Sequence, residues 1–301
     1  MDARQLRYFL AVVDHEGFNR AAEHLLIAQP SLSQTIKTLE REIGVPLFHR
    51  VGRRALLSAA GHELVGPARL VLRDLEAAED AMAALKGVRR GRLDLVAMPS
   101  PAVEPLTTLI AHYTAAHPHV VVSTTAAFTA AEVIAAVQSG SSEIGLLGTD
   151  KPISVPDVDV LPLECQPMVL VVNPQQDEFI GRRSITGEEL EGQRIVISQR
   201  GSLMRAQVDD LLARGVGLVI AAEAAHRSSL LPLVLAGVGH AVLPQAWASM
   251  ASRAGLHVVE LLPTVNLHIA LISRRSGLTP AAEAFLAVAN QYAATRNDMD
   301  R

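Results

Sequence analysis

The chain has 301 residues, a length that favours two or three domains. Hydrophobic residues make up 49% and charged residues 19%, which excludes wholesale disorder, while 3% aromatic residues exclude a surface that stacks many rings. The net charge of −4 hides an asymmetry: residues 1–92 hold 14 basic and 11 acidic side chains, and the remainder holds 13 and 20. Such a difference in sign is typical of a nucleic-acid-binding module fused to another module.

Two short helices are predicted first. Leu6, Phe9, Leu10 and Val13 share one helical face, and the turn His15-Glu16-Gly17 follows. We expect Asn19 to be the N-cap of a second helix over Arg20 to Leu26.

A third helix is predicted after the break at Ala28-Gln29-Pro30, since proline suits a first helical turn. Its buried face is expected to be Leu32, Ile36, Leu39 and Ile43, with Gly44 ending the helix. The opposite face carries short polar side chains and one cation, namely Ser31, Ser33, Gln34, Lys37 and Thr38. This arrangement predicts a helix-turn-helix whose last helix enters the DNA major groove, where Gln and Ser reach base edges and Lys37 suits a phosphate or guanine.

The next segment, from Val45 to Ser58, holds Arg50, Arg53 and Arg54 and no acid. Pro46-Leu47-Phe48 supplies apolar bulk and Gly52 allows a tight turn, so a β-wing is predicted whose arginines meet phosphates or the minor groove. The alternative is a generic three-helix bundle with a solvated charged face, which the acid-free wing disfavours.

Several motifs occur in a specific order within residues 1–65: Leu6-Arg7-Tyr8-Phe9, Gly17-Phe18-Asn19-Arg20-Ala21-Ala22-Glu23, Gln29-Pro30-Ser31-Leu32-Ser33-Gln34, Leu39-Glu40, Gly44-Val45-Pro46-Leu47-Phe48-His49-Arg50 and Ala60-Gly61. In combination they resemble the winged helix-turn-helix of the LysR-type transcriptional regulators. Asn19 and Gln34 depart from the Thr or Ser and the Arg that are frequent in that family, as does Ser58-Ala59-Ala60-Gly61 from its usual Leu-Thr-x-Ala-Gly. The DNA-binding residues predicted from the pattern and the resemblance are Asn19, Arg20, Gln29, Pro30, Ser31, Ser33, Gln34, Lys37, Arg50, Arg53 and Arg54.

A long linker helix is predicted next. Leu64, Ala68, Val71, Leu75, Ala78, Met82 and Leu85 follow a heptad spacing that favours a dimerisation seam, and Pro67 is expected near the first turn. The alternative is a helix packed on its own domain. The resemblance implies dimers that assemble further into tetramers, and the run from Lys86 to Arg92 is expected to be a hinge.

The remaining residues alternate between strand-like and helix-like segments, which predicts a parallel, doubly wound α/β arrangement. The predicted strands are Leu93 to Met98, Val120 to Thr124, Ile144 to Leu147, Met168 to Val172, Ile195 to Ser198, Leu218 to Ala221, His240 to Leu243 and His268 to Ser273. The resemblance implies a two-lobed domain like a periplasmic binding protein. The predicted boundaries are 1–58 for the winged domain, 59–91 for the linker and 92–301 for the effector domain, with lobe I at 92–163 and 267–301 and lobe II at 164–266.

Ligands bind such domains at the carboxyl ends of strands, where helix N-termini offer free amides. Small polar groups follow four predicted strands and would suit a small anion or carboxylate, although the serines could instead be plain helix caps. The predicted effector-binding residues are Ser100, Pro101, Ala102, Phe128, Thr149, Ser198, Gln199, Ser202 and His226.

We therefore expect a ligand-responsive, sequence-specific DNA-binding regulator that is not an enzyme and holds no cofactor or metal. Its expected partners are double-stranded operator DNA, a second copy of the chain and a small effector, with RNA polymerase as a further candidate. No signal peptide or membrane span is recognised, so a cytoplasmic location is expected. The single cysteine, Cys165, excludes an intrachain disulfide and is expected to be a core or strand residue. An enzyme of a two-lobed class and a solute-binding module that does not touch DNA remain as alternatives.

Overall fold

The computed structural model describes residues 1–51, 54–85, 91–176, 179 and 181–299. The N-terminal domain contains helices α1 (Ala3–Asp14), α2 (Phe18–His24) and α3 (Gln29–Ile43), then strands β1 (Phe48–Val51) and β2 (Arg54–Leu57), and finally helix α4 (Ala59–Leu85). The two strands form an antiparallel hairpin, as the predicted wing requires. Gly52, Arg53 and the predicted hinge residues 86–90 lie outside the described residues.

The start of α2 differs from the prediction. The helix begins at Phe18, so Asn19 lies inside its first turn, and Gly17 occupies the N-cap position without a side-chain cap. The Phe18 ring packs edge-on against Phe48 of the wing, with ring centroids 5.4 Å apart, which explains why the helix starts there. Asn19 is therefore not a cap, and its side chain is exposed.

Helix α3 has the predicted buried face at Leu32, Ile36 and Leu39, each at most 1% exposed. Ile43 was expected on that face but is 38% exposed, because the helix ends there and its last turn extends beyond the core. Gly44 follows with a left-handed φ of 88°, a conformation that glycine adopts without strain.

Helix α4 begins directly against the wing. The Ser58 hydroxyl accepts from the Gly61 amide at 2.9 Å and donates to the Pro46 carbonyl at 2.6 Å. A Cβ on Gly61 would lie 2.2 Å from the Leu47 carbonyl oxygen, so this position requires glycine. Pro67 was expected near the first turn but lies well inside the 27-residue helix.

The predicted heptad seam on α4 divides into two parts. Leu64, Ala68 and the neighbouring Leu72 pack into the core of the DNA-binding domain. Further along, Val71, Leu75 and Met82 are 49%, 37% and 57% exposed in this single chain. Only the second part of the seam is therefore available to another copy of the chain.

The C-terminal domain comprises β3 (Gly91–Ala97), α5 (Pro99–Val103), α6 (Leu106–Ala116), β4 (Val120–Ala126), α7 (Ala130–Gln138), β5 (Ile144–Thr149), β6 (Val158–Val172), β7 (Ser184–Thr186), β8 (Arg194–Ser198), α8 (Leu203–Ala213), β9 (Val219–Ala224), α9 (Leu230–Leu235), β10 (Ala241–Pro244), α10 (Ala248–Arg253), β11 (His257–Leu262), β12 (Asn266–Arg274) and α11 (Pro280–Met299). Each predicted strand corresponds to one of these or, for Met168 to Val172, to part of β6. Strands β7 and β11 and the first half of β6 were not predicted.

The α/β class is confirmed, but the eight-stranded main sheet is mixed, so the prediction of a parallel arrangement was wrong for it; β8 and β9 form a separate parallel pair. Strands β3, β4 and β5 are parallel, whereas β12 runs antiparallel to both β5 and β6, and β10 and β11 run antiparallel to β6. The 15-residue strand β6 causes this difference, because its first half pairs with β12 and its second half with β10 and β11. One continuous strand thus runs through both lobes and carries Cys165, which lies in a strand as expected but is exposed rather than in the core.

Candidate DNA-binding surface and effector cleft

The outer face of α3 presents the predicted contact residues to solvent. Pro30, Ser31, Gln34 and Lys37 are exposed, and Gln29 and Ser33 are half-buried. The Thr38 hydroxyl donates to the Gln34 carbonyl at 3.0 Å, which removes its own donor from this surface. Among the predicted contact residues of α3, Lys37 alone is charged, as expected for a helix that reads base edges.

Arg20 lies on α2 and lines a surface groove together with wing residues such as Phe48 and Ala55. Its guanidinium donates to the Glu16 carbonyl at 2.9 Å and pairs with the Glu16 carboxylate at 3.3 Å. Both side chains are largely exposed, so this ion pair is weak, and a phosphate can compete for the arginine.

Of the three wing arginines, the structure describes the backbone positions of Arg50 and Arg54. Arg50 and Arg54 belong to β1 and β2, where the register places Arg50 opposite Ala55 and Arg54 opposite Val51. Arg53 lies outside the described residues, as do the side chains of Arg50 and Arg54. Their role in DNA binding remains a prediction.

Glu40 fixes the wing to the recognition helix, and sequence reasoning did not assign it this role. One carboxylate oxygen accepts from the Leu47 amide at 2.8 Å and from the Phe48 amide at 3.2 Å. Phe48 then packs against Phe9 of α1, with ring centroids 5.6 Å apart. The carboxylate therefore links the start of β1 directly to α3.

A small cavity lies between the lobes. Its volume is about 20 Å³, room for about one water molecule. Three of the predicted effector residues line it, namely Ser100, Pro101 and Ser202. Ser202 is also the N-cap of α8, where its hydroxyl accepts from the Arg205 amide at 3.2 Å.

The other predicted effector residues do not line this cavity. Ser198 is buried and shares a 2.7 Å hydrogen bond with Ser202, so it lies just behind the cavity wall. The Thr149 hydroxyl donates to the Lys151 carbonyl at 2.6 Å, beside the cavity-lining Gly148. Ala102 is half-buried, whereas Phe128, Gln199 and His226 are exposed. Contact between these six residues and an effector remains a prediction.

Arg227, which directly follows the predicted effector residue His226, lines the cavity in its place. Its guanidinium donates to the Ser100 hydroxyl at 3.0 Å and so bridges the two lobes. Burial lowers its pKa from the ordinary arginine value, and no ion pair of Arg227 occurs within the described part of the chain. The cleft therefore holds a desolvated cation that no described carboxylate neutralises.

Two kinds of feature were sought within the described part of the chain, metal-ligand clusters and membrane-spanning helices. Among the described residues, no three or more His, Cys, Asp or Glu side chains come together as metal ligands would. No helix in the same set has the length and apolar character needed to cross a membrane.

Comparison with known proteins agrees with this architecture. The chain matches the bacterial regulatory helix-turn-helix protein, lysR family, over residues 3–62, and the LysR substrate binding domain over residues 86–294. It is 31% identical over 296 residues to the HTH-type transcriptional regulator CbbR of Rhodospirillum rubrum, with 97% of each chain covered.

Two solved structures share the fold. A full-length OxyR variant from Pseudomonas aeruginosa matches with a TM-score of 0.72 at 22% identity and covers 97% of this chain and 94% of its own. Full-length CbnR complexed with its target DNA matches with a TM-score of 0.69 at 24% identity and covers 97% and 100%. The chain belongs to the LysR family of transcriptional regulators, with an N-terminal DNA-binding helix-turn-helix and a C-terminal two-lobed effector-binding domain.

Proposed function

We propose that this regulator grips operator DNA in the cytoplasm through the winged helices of two paired chains and responds to a small anionic effector in the cleft between its lobes. The observation that carries the anionic assignment is Arg227, a half-buried cation without a described carboxylate partner.

The DNA-binding part of the proposal rests on α3 and the wing. The exposed face of α3 offers Gln34 and Ser31 for base edges and Lys37 for a phosphate. Glu40 holds the wing beside that face. The related CbnR was crystallised with its target DNA, which supports the same mode of binding here.

Selection from a random duplex library, followed by binding measurements over a range of salt concentrations, tests this assignment. Lys37→Gln is expected to weaken binding to all duplexes similarly and to reduce the salt slope by about one. Gln34→Ala is expected to relax selectivity at one position of the selected site. Lys151→Gln, at an exposed lysine of the effector domain, is the matched control and should change neither. An unchanged salt slope in Lys37→Gln would exclude a phosphate contact.

Pairing of two chains is supported by the exposed apolar residues of α4. Val71, Leu75 and Met82 follow the heptad spacing and are exposed in the single chain. Burying these apolar side chains against the same helix of a second chain would be favourable in free energy. A single winged domain makes few phosphate contacts, so two joined domains bind a site of two half-sites far more tightly.

The anionic effector is supported by the electrostatics of the cleft. Besides Arg227, the N-terminus of α8 reaches the cavity at Ser202 and Leu203, and the positive end of an 11-residue helix favours an anion there. Since the cavity holds about 20 Å³, an effector enters only when the lobes part and the Arg227–Ser100 hydrogen bond breaks. Anion binding would then replace that bond and set the separation of the lobes.

A thermal-shift screen with acetate, succinate and inorganic phosphate tests the anionic assignment. A ligand at 100 times its Kd stabilises the folded state by about 2.7 kcal/mol, a shift of several degrees for a domain of this size. Arg227→Gln should abolish the shift, whereas Arg253→Gln, at an exposed arginine of the same lobe, should retain it. A shift that survives in Arg227→Gln would show that the anion binds elsewhere.

A further inference from the structure

We infer that this protein has a second small-molecule site at the junction of its lobes, shaped for a compound that carries a primary ammonium group on a small apolar body. The site is a cavity of about 540 Å³, lined by residues of α6, β6, α10 and α11. It shares no lining residue with the cleft cavity. The inference is independent of the anionic effector proposed above.

The size of this cavity sets it apart from the cleft. At about 540 Å³ it lies within the range of cavities that hold metabolite-sized ligands, whereas the cleft holds about 20 Å³. Pro167, Ala246 and Ala248 supply small apolar walls. Because β6 runs through both lobes, an occupant that touches residues 164–167 contacts a strand that the two lobes share.

The one cation in the lining is already neutralised. Arg296 pairs with Glu164 at 2.9 Å, and the Glu164 side chain is only 6% exposed. The Tyr292 hydroxyl donates to the same carboxylate at 2.6 Å, and burial raises the pKa of Tyr292 to about 12, so that the phenol keeps its proton. These three side chains satisfy one another and leave little positive charge for an incoming anion.

One buried acceptor in the lining of the cavity lacks a donor. Gln166 is 6% exposed, and its amide nitrogen donates to the Glu104 carbonyl at 3.2 Å and to the Glu164 carboxylate. Those two acceptors fix the orientation of the amide, and its oxygen has no donor among the described residues. A buried acceptor without a donor is costly, so a donor supplied by a ligand is favourable.

Glu104 adds the negative charge. Its carboxylate receives one described hydrogen bond, from the Thr107 hydroxyl at 2.9 Å, and forms no described ion pair. With Glu164 balanced by Arg296, the lining keeps the net charge of Glu104. An ammonium group supplies both the donors that Gln166 lacks and the charge that complements Glu104.

Cys165 gives a direct readout of this cavity, because it lines the site and is the single cysteine of the sequence. The rate at which iodoacetamide alkylates the full chain, followed by intact mass, therefore reports on this cavity alone. Three probes of similar shape show which ligand charge the cavity prefers. Benzylamine is cationic at neutral pH, benzyl alcohol is neutral and benzoate is anionic.

Benzylamine is expected to slow alkylation of the wild-type chain in a saturable manner, more strongly than either of the other probes. Protection by benzoate as strong as that by benzylamine would overturn the charge assignment, and absence of protection by all three would overturn the site. Alkylation without a probe that slows as protein concentration rises would show that a second copy covers the cavity, which would also overturn the proposal.

Glu104→Gln should weaken the apparent affinity for benzylamine about two- to fivefold, the range for a partly exposed ion pair. Glu283→Gln, at an exposed carboxylate outside the cavity, is the matched control and should leave the affinity unchanged. Equal affinities in the two variants would remove Glu104 from the site. Since the wild-type comparison of the three probes needs no variant, a folding defect in either one leaves the proposal testable.

Discussion

Replacement of Glu40 by alanine is expected to detach the wing from the recognition helix. The substitution removes a carboxylate oxygen that accepts from both the Leu47 and the Phe48 amides, at 2.8 and 3.2 Å. Hydrogen bonds to a charged group contribute about 1.5–3 kcal/mol each, and the half-buried setting favours the lower end. The second bond is also long. We therefore expect Glu40→Ala to destabilise the DNA-binding domain by about 2–3 kcal/mol and Glu40→Gln, which keeps an acceptor oxygen, by about 1 kcal/mol.

Urea unfolding of the full chain, followed by far-ultraviolet circular dichroism, measures this loss. With a slope of about 2 kcal/mol per molar urea, the midpoint of the DNA-binding domain should fall by about 1 M in Glu40→Ala. The unfolding transition followed by Trp247 fluorescence should keep its urea midpoint in both variants. This single tryptophan is buried in the core of the effector domain, so it reports on that domain. Affinity for duplex DNA should fall more in Glu40→Ala than in Glu40→Gln, because a detached wing must become ordered again on binding.

Glu42→Ala is the matched control. Glu42 lies two residues further along α3 and pairs with the N-terminus and Gln5, and these hydrogen bonds lower the pKa of its exposed carboxylate. Because this carboxylate is exposed to solvent, loss of the pair should change the stability little. If Glu40→Ala and Glu42→Ala unfold at the same urea concentration, Glu40 does not hold the wing and the reasoning fails.

Three further outcomes are expected. Leu26→Asn should raise stability by about 0.5–1 kcal/mol in thermal unfolding, because Leu26 has a left-handed φ of 54° and is 92% exposed, and Asn tolerates that conformation; no gain would contradict backbone strain. Tyr113→Phe should cost about 1 kcal/mol at pH 8 through loss of the 3.0 Å bond to the Ala281 carbonyl. Burial raises the pKa of Tyr113 to about 12, so the stability that its neutral phenol contributes is complete below about pH 10 and is lost as pH rises towards 12. Urea unfolding should show the gap between wild type and variant closing between pH 10 and 12, and a constant gap would argue against this ionisation. Leu75→Glu with Met82→Glu should weaken self-association about tenfold or more by analytical ultracentrifugation, since like charges would face one another across the seam; unchanged association would place the interface elsewhere.

Much of the fold followed from the sequence because its signals are local. The spacing of Leu32, Ile36 and Leu39 predicts the buried face of α3 that the structure shows. The alternation of strand-like and helix-like segments predicts the α/β class of the effector domain. The direction of β12 could not be read in the same way, since the hydrophobic pattern of a buried strand is nearly independent of whether its neighbour runs parallel or antiparallel.

The sites were harder to predict, because they depend on contacts between distant residues. The residue types on α3 indicated a DNA-reading face, but nothing near Glu40 shows that its carboxylate reaches across seven residues to Leu47. Arg227 and His226 are adjacent polar residues after the same strand, and only the packing of the lobes turns one towards Ser100 and leaves the other exposed. Asn19 was misassigned for a related reason, because the Phe18–Phe48 contact sets where α2 begins.

The proline inside α4 has a consequence for how two DNA-binding domains can share one operator. Pro67 has no amide hydrogen, so the carbonyl of Glu63 lacks its helical partner, and the helix bends there at lower cost than elsewhere along its length. This soft point precedes Val71, where the seam becomes exposed. If two chains pair through the distal part of α4 as proposed above, bending at Pro67 lets each DNA-binding domain change its angle while that pairing is kept. One dimer could then fit half-sites at slightly different separations.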